Sequence, residues 1–196
     1  MKDRRQQILD AATRIVAEGG MSALSVRAVA AAAGIGASTL RYYFPSQREL
    51  YDEVVGRSFD DQLSNLRIHD RAIPPAERLL ECLLQFLPPS EDQVLHLERW
   101  LAFYTSAVGP DRTEQGAALL ASFAHRARRR VDAWLAVLQQ EDALRHGDRA
   151  RHGTLLLALI DGLCLELLTP QSPATLESAR TALADAIGNT VVLAEN

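Results

Sequence analysis

Apolar side chains recur three and four residues apart along almost the whole of this sequence, and glycine or proline stands where the recurrence breaks. That spacing marks helices with one apolar stripe. No segment alternates with the period of two that a strand requires, so the expected fold is all-α with about nine helices. The first spans about residues 4–18, with Ile8, Leu9, Ala12, Ile15 and Val16 on one face, and Gly19-Gly20 ends it. Ser25 is placed to cap a short second helix that turns Val26, Val29 and Ala33 inward and closes at Gly34. Leu40 and Phe44 share the inner face of a third helix of two turns, stopped by Pro45. Ser46 and Glu49 have the spacing of a capping box, and the fourth helix is expected to run towards Ile68. Beyond Pro74-Pro75 the segments lengthen, to about 79–87, 97–108, 112–144, 148–168 and 176–191. We therefore expect a three-helix head over residues 1–46 and a body over 47–196, with the fourth helix (about 47–68) as connector.

Charge divides the same way. Residues 1–50 carry seven basic side chains against four acidic ones, a net of +3; the whole chain is at -4, so the remainder is at -7. A basic head on an acidic body points to a polyanion partner for the head alone. The longest uncharged stretch, residues 28–40, is well short of the ~20 apolar residues that cross a bilayer. The start of the chain lacks the apolar core of a signal peptide, so a cytoplasmic location is expected. Cys82 and Cys164 are far apart in apolar surroundings and read as reduced thiols rather than a disulfide.

Two short helices joined through Gly34-Ile35-Gly36, the second only two turns long, form the pattern that sets a recognition helix in the DNA major groove. With Leu40 and Phe44 inward, Ser38, Thr39, Tyr42 and Tyr43 turn outward and Arg41 stands at the flank. Hydroxyls and phenols suit phosphates and base edges, and a guanidinium can grip guanine with two hydrogen bonds. The alternative, that the two tyrosines are core aromatics, stays open here. Lys2, Arg4 and Arg5, before or within the opening turn of the first helix, are the expected basic arm.

The run Leu24-Ser25-Val26-Arg27-Ala28-Val29-Ala30-Ala31-Ala32-Ala33-Gly34, followed by Ser38-Thr39-Leu40-Arg41-Tyr42-Tyr43-Phe44-Pro45-Ser46 and Glu49-Leu50, resembles the TetR family of transcriptional regulators. The resemblance covers about a quarter of the chain. It implies a homodimeric repressor whose heads bind a palindromic double-stranded DNA operator and whose body holds a small-molecule effector. Effector binding would then shift the fourth helix and release the DNA. Carried over by position, it assigns DNA contacts to Arg27, Ala37, Ser38, Thr39, Arg41, Tyr42, Tyr43 and Gln47. Gly36, Arg41 and Gln47 depart from the family's commoner serine, aromatic and lysine, so no operator sequence can be borrowed from a relative.

In the body, Leu155 to Ile160 are apolar all round, which demands cover on every side. Either a second copy supplies it, through Leu156, Leu159, Leu163, Leu167, Leu176, Leu183 and Ile187, or this is the central helix of a single chain. His96, Trp100 and Phe103 share a helical face and, with Cys82, Phe86, Phe123, Trp134 and Asp161, are the candidate effector-binding residues. Asp161, an acid inside an apolar run, needs a partner or a polar ligand.

Catalytic readings fail on spacing. The only lysine is Lys2, so no phosphate-binding GxxxxGK[ST] loop can form. None of the five histidines follows an acid by three positions, HExxH and GxSxG are absent, and Gly34-Ile35-Gly36 continues with Thr39 where a dinucleotide loop needs glycine. His146, His152 and Asp148 would make at most a surface metal site. We expect no catalytic residues, metal or cofactor. The surviving rival is a helical small-molecule or partner-binding protein whose head no longer binds DNA.

Overall fold

The structure, a computed structural model, describes residues 3–19, 24–145 and 147–192, with some side chains inside the helices left undescribed. Among the described residues it is built of helices and turns, and the chain divides into two compact units, Met1–Asp61 and Gln62–Asn196.

In the first unit, Ile8, Leu9 and Ala12 of α1 (Arg4–Gly19) pack on Val29 and Ala30 of α2 (Val26–Ala32), Leu40 of α3 (Ala37–Tyr43), Phe44, and Leu50 and Val54 of α4 (Gln47–Gln62). The local signals act as read: the Ser25 hydroxyl accepts the Ala28 amide at 3.2 Å, and the Ser46 hydroxyl accepts that of Glu49 at 3.1 Å. Gly34 turns the chain at φ +64°, a left-handed conformation that costs glycine nothing. Gly36 caps α3 without a side-chain hydrogen bond. The expected boundary at 46/47 falls before α4, whereas this unit runs through Asp61, because Leu50 and Val54 are part of the head's own core. Polar ties reinforce them: Arg5 donates both guanidinium arms to Glu53, Arg57 pairs with Asp10 at 2.8 Å, and the Tyr51 hydroxyl donates to the Leu24 carbonyl.

The fourth helix stops at Gln62 rather than continuing to Ile68. Residues 63–74 form successive turns, with Leu66 at φ 40° and Leu63 and Ile68 buried. In the second unit α5 (Pro75–Leu84), α7 (Glu114–Gln140), α8 (Arg149–Leu168) and α9 (Leu176–Ala186) enclose a core, and α6 (Leu95–Val108) packs on α7 and α8. The centre of the core is Leu79, Cys82 and Leu83 against Trp134, Leu135 and Leu138, closed by Leu156, Ile160 and Leu183. Thr175 and Ser178 form a reciprocal capping box that starts α9. Ile187–Val191 ends it in a wide π-type turn, and Leu144 bridges to Val192 where α7 was expected to continue.

Among the described residues a charged side chain, Arg78, lies inside this unit. Arg78 is 1% exposed and donates to Glu141 Oε2 at 2.6 Å and to the Ile68 carbonyl, joining α5, the turns after α4 and the end of α7. The Arg78 hydrogen bond holds the Glu141 carboxyl below its ordinary value, against burial, which raises it. A carboxyl lowered in the folded state stabilises above its unfolded value of about 4.3 and loses that contribution as pH falls through the lowered one. Glu141→Ala is expected to cost ~3 to 5 kcal/mol near neutrality, because it strands a buried guanidinium. In denaturation followed down to acid pH, the gap to the unaltered protein should close; a gap independent of pH would rule the carboxylate out as its source.

Candidate nucleic-acid interface and effector site

A seven-residue helix carries the outward face of the head. Packing of Leu40 into the core commits the rest of the helix: Ala37, Ser38, Thr39, Arg41 and Tyr42 are exposed, Tyr42 at 81%. Arg27, on the first turn of α2, is exposed as well. Tyr43 differs from its neighbour. It is half-buried against the head core, its ring edge-on to Tyr42 with centroids 5.2 Å apart. The phenol of Tyr42 is thus the free one, and Tyr43 supports it.

The expected basic arm does not hold together as one feature. Lys2 lies outside the described residues, as does the side chain of Gln47. Arg4 is exposed and donates to Gln7 at 3.0 Å. Arg5 is not a mobile contact: its guanidinium is paired with Glu53 and lies 4.9 Å over the Phe44 ring, so α1, the end of α3 and α4 meet on this one side chain. The hydrogen bond it donates to Glu53 raises its pKa further.

In the body the eight candidate effector residues separate. Trp100 and Phe103 of α6 and Phe123 of α7 form a three-ring cluster with centroids 5.5, 5.6 and 6.0 Å apart, and Trp100 is 39% exposed. The side chain of His96 lies outside the described residues. Cys82 and Trp134 are core, not lining: both are fully buried, the indole donating to Asn65 and the Cys82 thiol pushed up to about 11 by burial. Phe86 is half-buried and stands edge-on to Trp134 at 6.2 Å. Asp161 is on the exposed side of α8, and partial burial still raises its carboxyl. A separate polar cleft of about 550 Å³ is lined by residues that include Arg71, Arg78 and Glu141.

The residues expected at a subunit interface divide between covered and partly open positions. Leu156, Leu176, Leu183 and Ile187 are buried in the core of their own chain, and Leu159, Leu163 and Leu167 lean half-buried on the same core. The opposite face of α8 carries Leu155 at 43% and Leu165 at 51% exposure, with Ala158 and Gly162 exposed between them. A helix apolar all round therefore has one face that the single chain covers and one that it leaves bare. His152 is buried with Nε2 3.3 Å from the Arg145 carbonyl, Asp148 caps α8, and His146 lies outside the described residues. Among the described residues no group of three metal-ligating side chains occurs, and no helix is long and apolar enough to cross a membrane.

Residues 8–54 match the family described as bacterial regulatory proteins, tetR family, and residues 75–192, more than half of the chain, match the C-terminal region of BetI-type transcriptional repressors. The chain belongs to the TetR family. It is 30% identical over 169 residues to the TetR-family regulator PksA of Bacillus subtilis, covering 84% of this chain and 78% of that one. Among solved structures, a candidate transcriptional regulator from Saccharomonospora viridis in complex with choline superposes with a TM-score of 0.55 at 25% identity, over 99% of this chain and 100% of that one. The multidrug binding protein EbrR complexed with proflavin superposes with 0.54 at 26% identity, over 92% and 98%. Both matched families, like PksA, are regulators of transcription.

The pairing of Arg5 with Glu53 and the structural roles of Asn65 and Arg78 were not legible in the sequence. Arg5 and Glu53 are 48 positions apart, and Asn65 and Trp134 are 69 apart; no local spacing links either pair.

Proposed function

We propose that this TetR-family protein is a homodimeric cytoplasmic repressor, without chemistry of its own, that reads a palindromic operator through α2 and α3 and is released by an organic cation. The observation that carries the reading is the solvent-facing set of Arg27, Ser38, Thr39, Arg41 and Tyr42 on a head of net positive charge. An intact reading face favours this over a body whose head no longer binds DNA. Arg27 and Arg41 are the guanidiniums of α2 and α3, suited to two-pronged contacts with guanine; Ser38, Thr39, Tyr42 and Arg4 suit phosphates.

The effector class follows from the Trp100, Phe103 and Phe123 cluster, because the negative faces of aromatic rings attract a cation. The S. viridis regulator holds choline and EbrR holds proflavin, both cationic ligands, which supports the same class here. The dimer follows from Leu155, Ala158, Gly162 and Leu165, spaced three and four apart along one bare face of α8. Small residues at 158 and 162 allow a second helix to come close, and a Cβ added at Gly162 would meet nothing within 4 Å in the chain itself.

A duplex selected from random sequence by the purified protein tests the reading. On it, Arg27→Ala and Arg41→Ala should each cost ~1 to 3 kcal/mol while affecting random DNA much less. Arg4→Ala should weaken both alike and flatten the salt dependence by about one unit of slope; Arg5→Ala should instead lower the thermal midpoint of the head. Equal losses on operator and random duplex for Arg27→Ala and Arg41→Ala would remove both from base reading.

In sedimentation, Leu155→Glu and Leu165→Glu should give folded monomers with weakened operator binding, whereas Leu156→Glu should give misfolded protein. A stable dimer face buries more than ~1,000 Å² in total, and retention of the dimer in both surface variants would place the interface elsewhere. In calorimetry, Trp100→Ala should weaken choline binding by ~0.5 to 2 kcal/mol. Unchanged affinity would dissociate the aromatic cluster from the effector.

A further inference from the structure

Among the ties that fasten the chain leaving α4 to the core of the second unit, one side chain reaches the buried indole of Trp134 directly. Asn65, three residues beyond Gln62, accepts on its single amide oxygen the indole N–H of Trp134 at 3.0 Å and Nη1 of Arg130 at 3.2 Å. Its backbone carbonyl accepts the Cys82 thiol at 3.4 Å and the Ile68 amide at 3.0 Å. The neighbours add to it: the Ser64 amide donates to Gln85 Oε1 at 2.9 Å, Gln85 Nε2 donates back to the Ser64 carbonyl at 2.9 Å, and Arg67 pairs with Glu81.

Trp134 is the largest fully buried side chain, and its indole N–H is a buried donor that needs an acceptor. Phe86 stands against its ring. In a core packed to crystal-like density the ring cannot shift by small amounts without its neighbours following. If Trp134 moves, Asn65 follows it or the indole is left without a partner. We infer that Asn65 is a positioning residue of the regulatory cycle, coupling the packing of Trp134 between α5 and α7 to the chain that leaves α4, and through it to operator binding. This rests on the reading of the head as operator-binding. Coupling is reciprocal, so DNA bound at the head must alter the Trp134–Asn65 hydrogen bond, and the test needs no effector.

The chain has two tryptophans, so full-length protein labelled with nitrogen-15 gives two indole cross-peaks, and that of Trp134 is the one that Asn65→Leu displaces. Addition of the selected operator duplex should shift this peak in the unaltered protein. The shift should persist in Asn65→Asp, which keeps the acceptor oxygen, and vanish in Asn65→Leu although the duplex still binds. Where leucine prevents folding, Asn65→Ala removes the same acceptor without added bulk. Loss of duplex binding itself in Asn65→Leu, with binding retained in Asn65→Asp, supports the coupling equally. A shift that persists in Asn65→Leu or Asn65→Ala, or that is absent in the unaltered protein with DNA bound, overturns it, as does loss of the shift in Asn65→Asp. If the unaltered protein binds no duplex, the operator reading fails, and this inference with it.

Discussion

A helix of seven residues is too short to hold itself together in water, and the reading face of this protein stands on such a helix. α3 exists because Leu40 is fully buried and Phe44, at its end, is nearly so, both against α1, α2 and α4. The same burial fixes its rotation, and with it the outward direction of Ser38, Thr39, Arg41 and Tyr42. Arg5 completes the arrangement by meeting Glu53 of α4 and the Phe44 ring at once. The side chains that would touch DNA are therefore held by side chains that never would.

The second unit solves a different problem. Its core is large enough to bury Trp134 and the Arg78 guanidinium, and each of these finds a polar partner in a distant part of the chain. α8 gives one face to this core and keeps a bare one of Leu155, Ala158, Gly162 and Leu165. The three rings of Trp100, Phe103 and Phe123 lie apart from Trp134 in the cores and pairs they form, so structural and ligand-facing aromatics need not be the same residues.

Helix types, most boundaries and the inner face of the head were legible in the sequence, because three-and-four spacing and glycine or proline stops are local signals. The caps at Ser25 and Ser46 were legible for the same reason. The end of α4 was not: Leu63 and Ile68 keep the apolar pattern going while Ser64 and Asn65 are captured by Gln85 and Trp134, and no local rule reports that capture. The leucines of α8 were ambiguous for a related reason. Periodicity shows that Leu156 and Leu155 are both apolar, but only the packing of α5, α7 and α9 shows which of the two is already covered. Arg5 read as an arm because its charge is local and its partner, Glu53, is not. Among the effector candidates, aromatic character alone could not separate Trp100 from Trp134.

On the proposed function, α3 enters the major groove and Arg41 reads guanine there. Methylation interference addresses it directly, since methylating guanine N7 blocks the acceptor that an arginine grips in that groove. With the selected operator duplex, methylated guanines at symmetric positions in the two half-sites should exclude the unaltered protein, and Arg41→Ala should become indifferent to at least one of them. Binding that tolerates methylation at every guanine N7, or interference confined to adenine N3 in the minor groove, would contradict it.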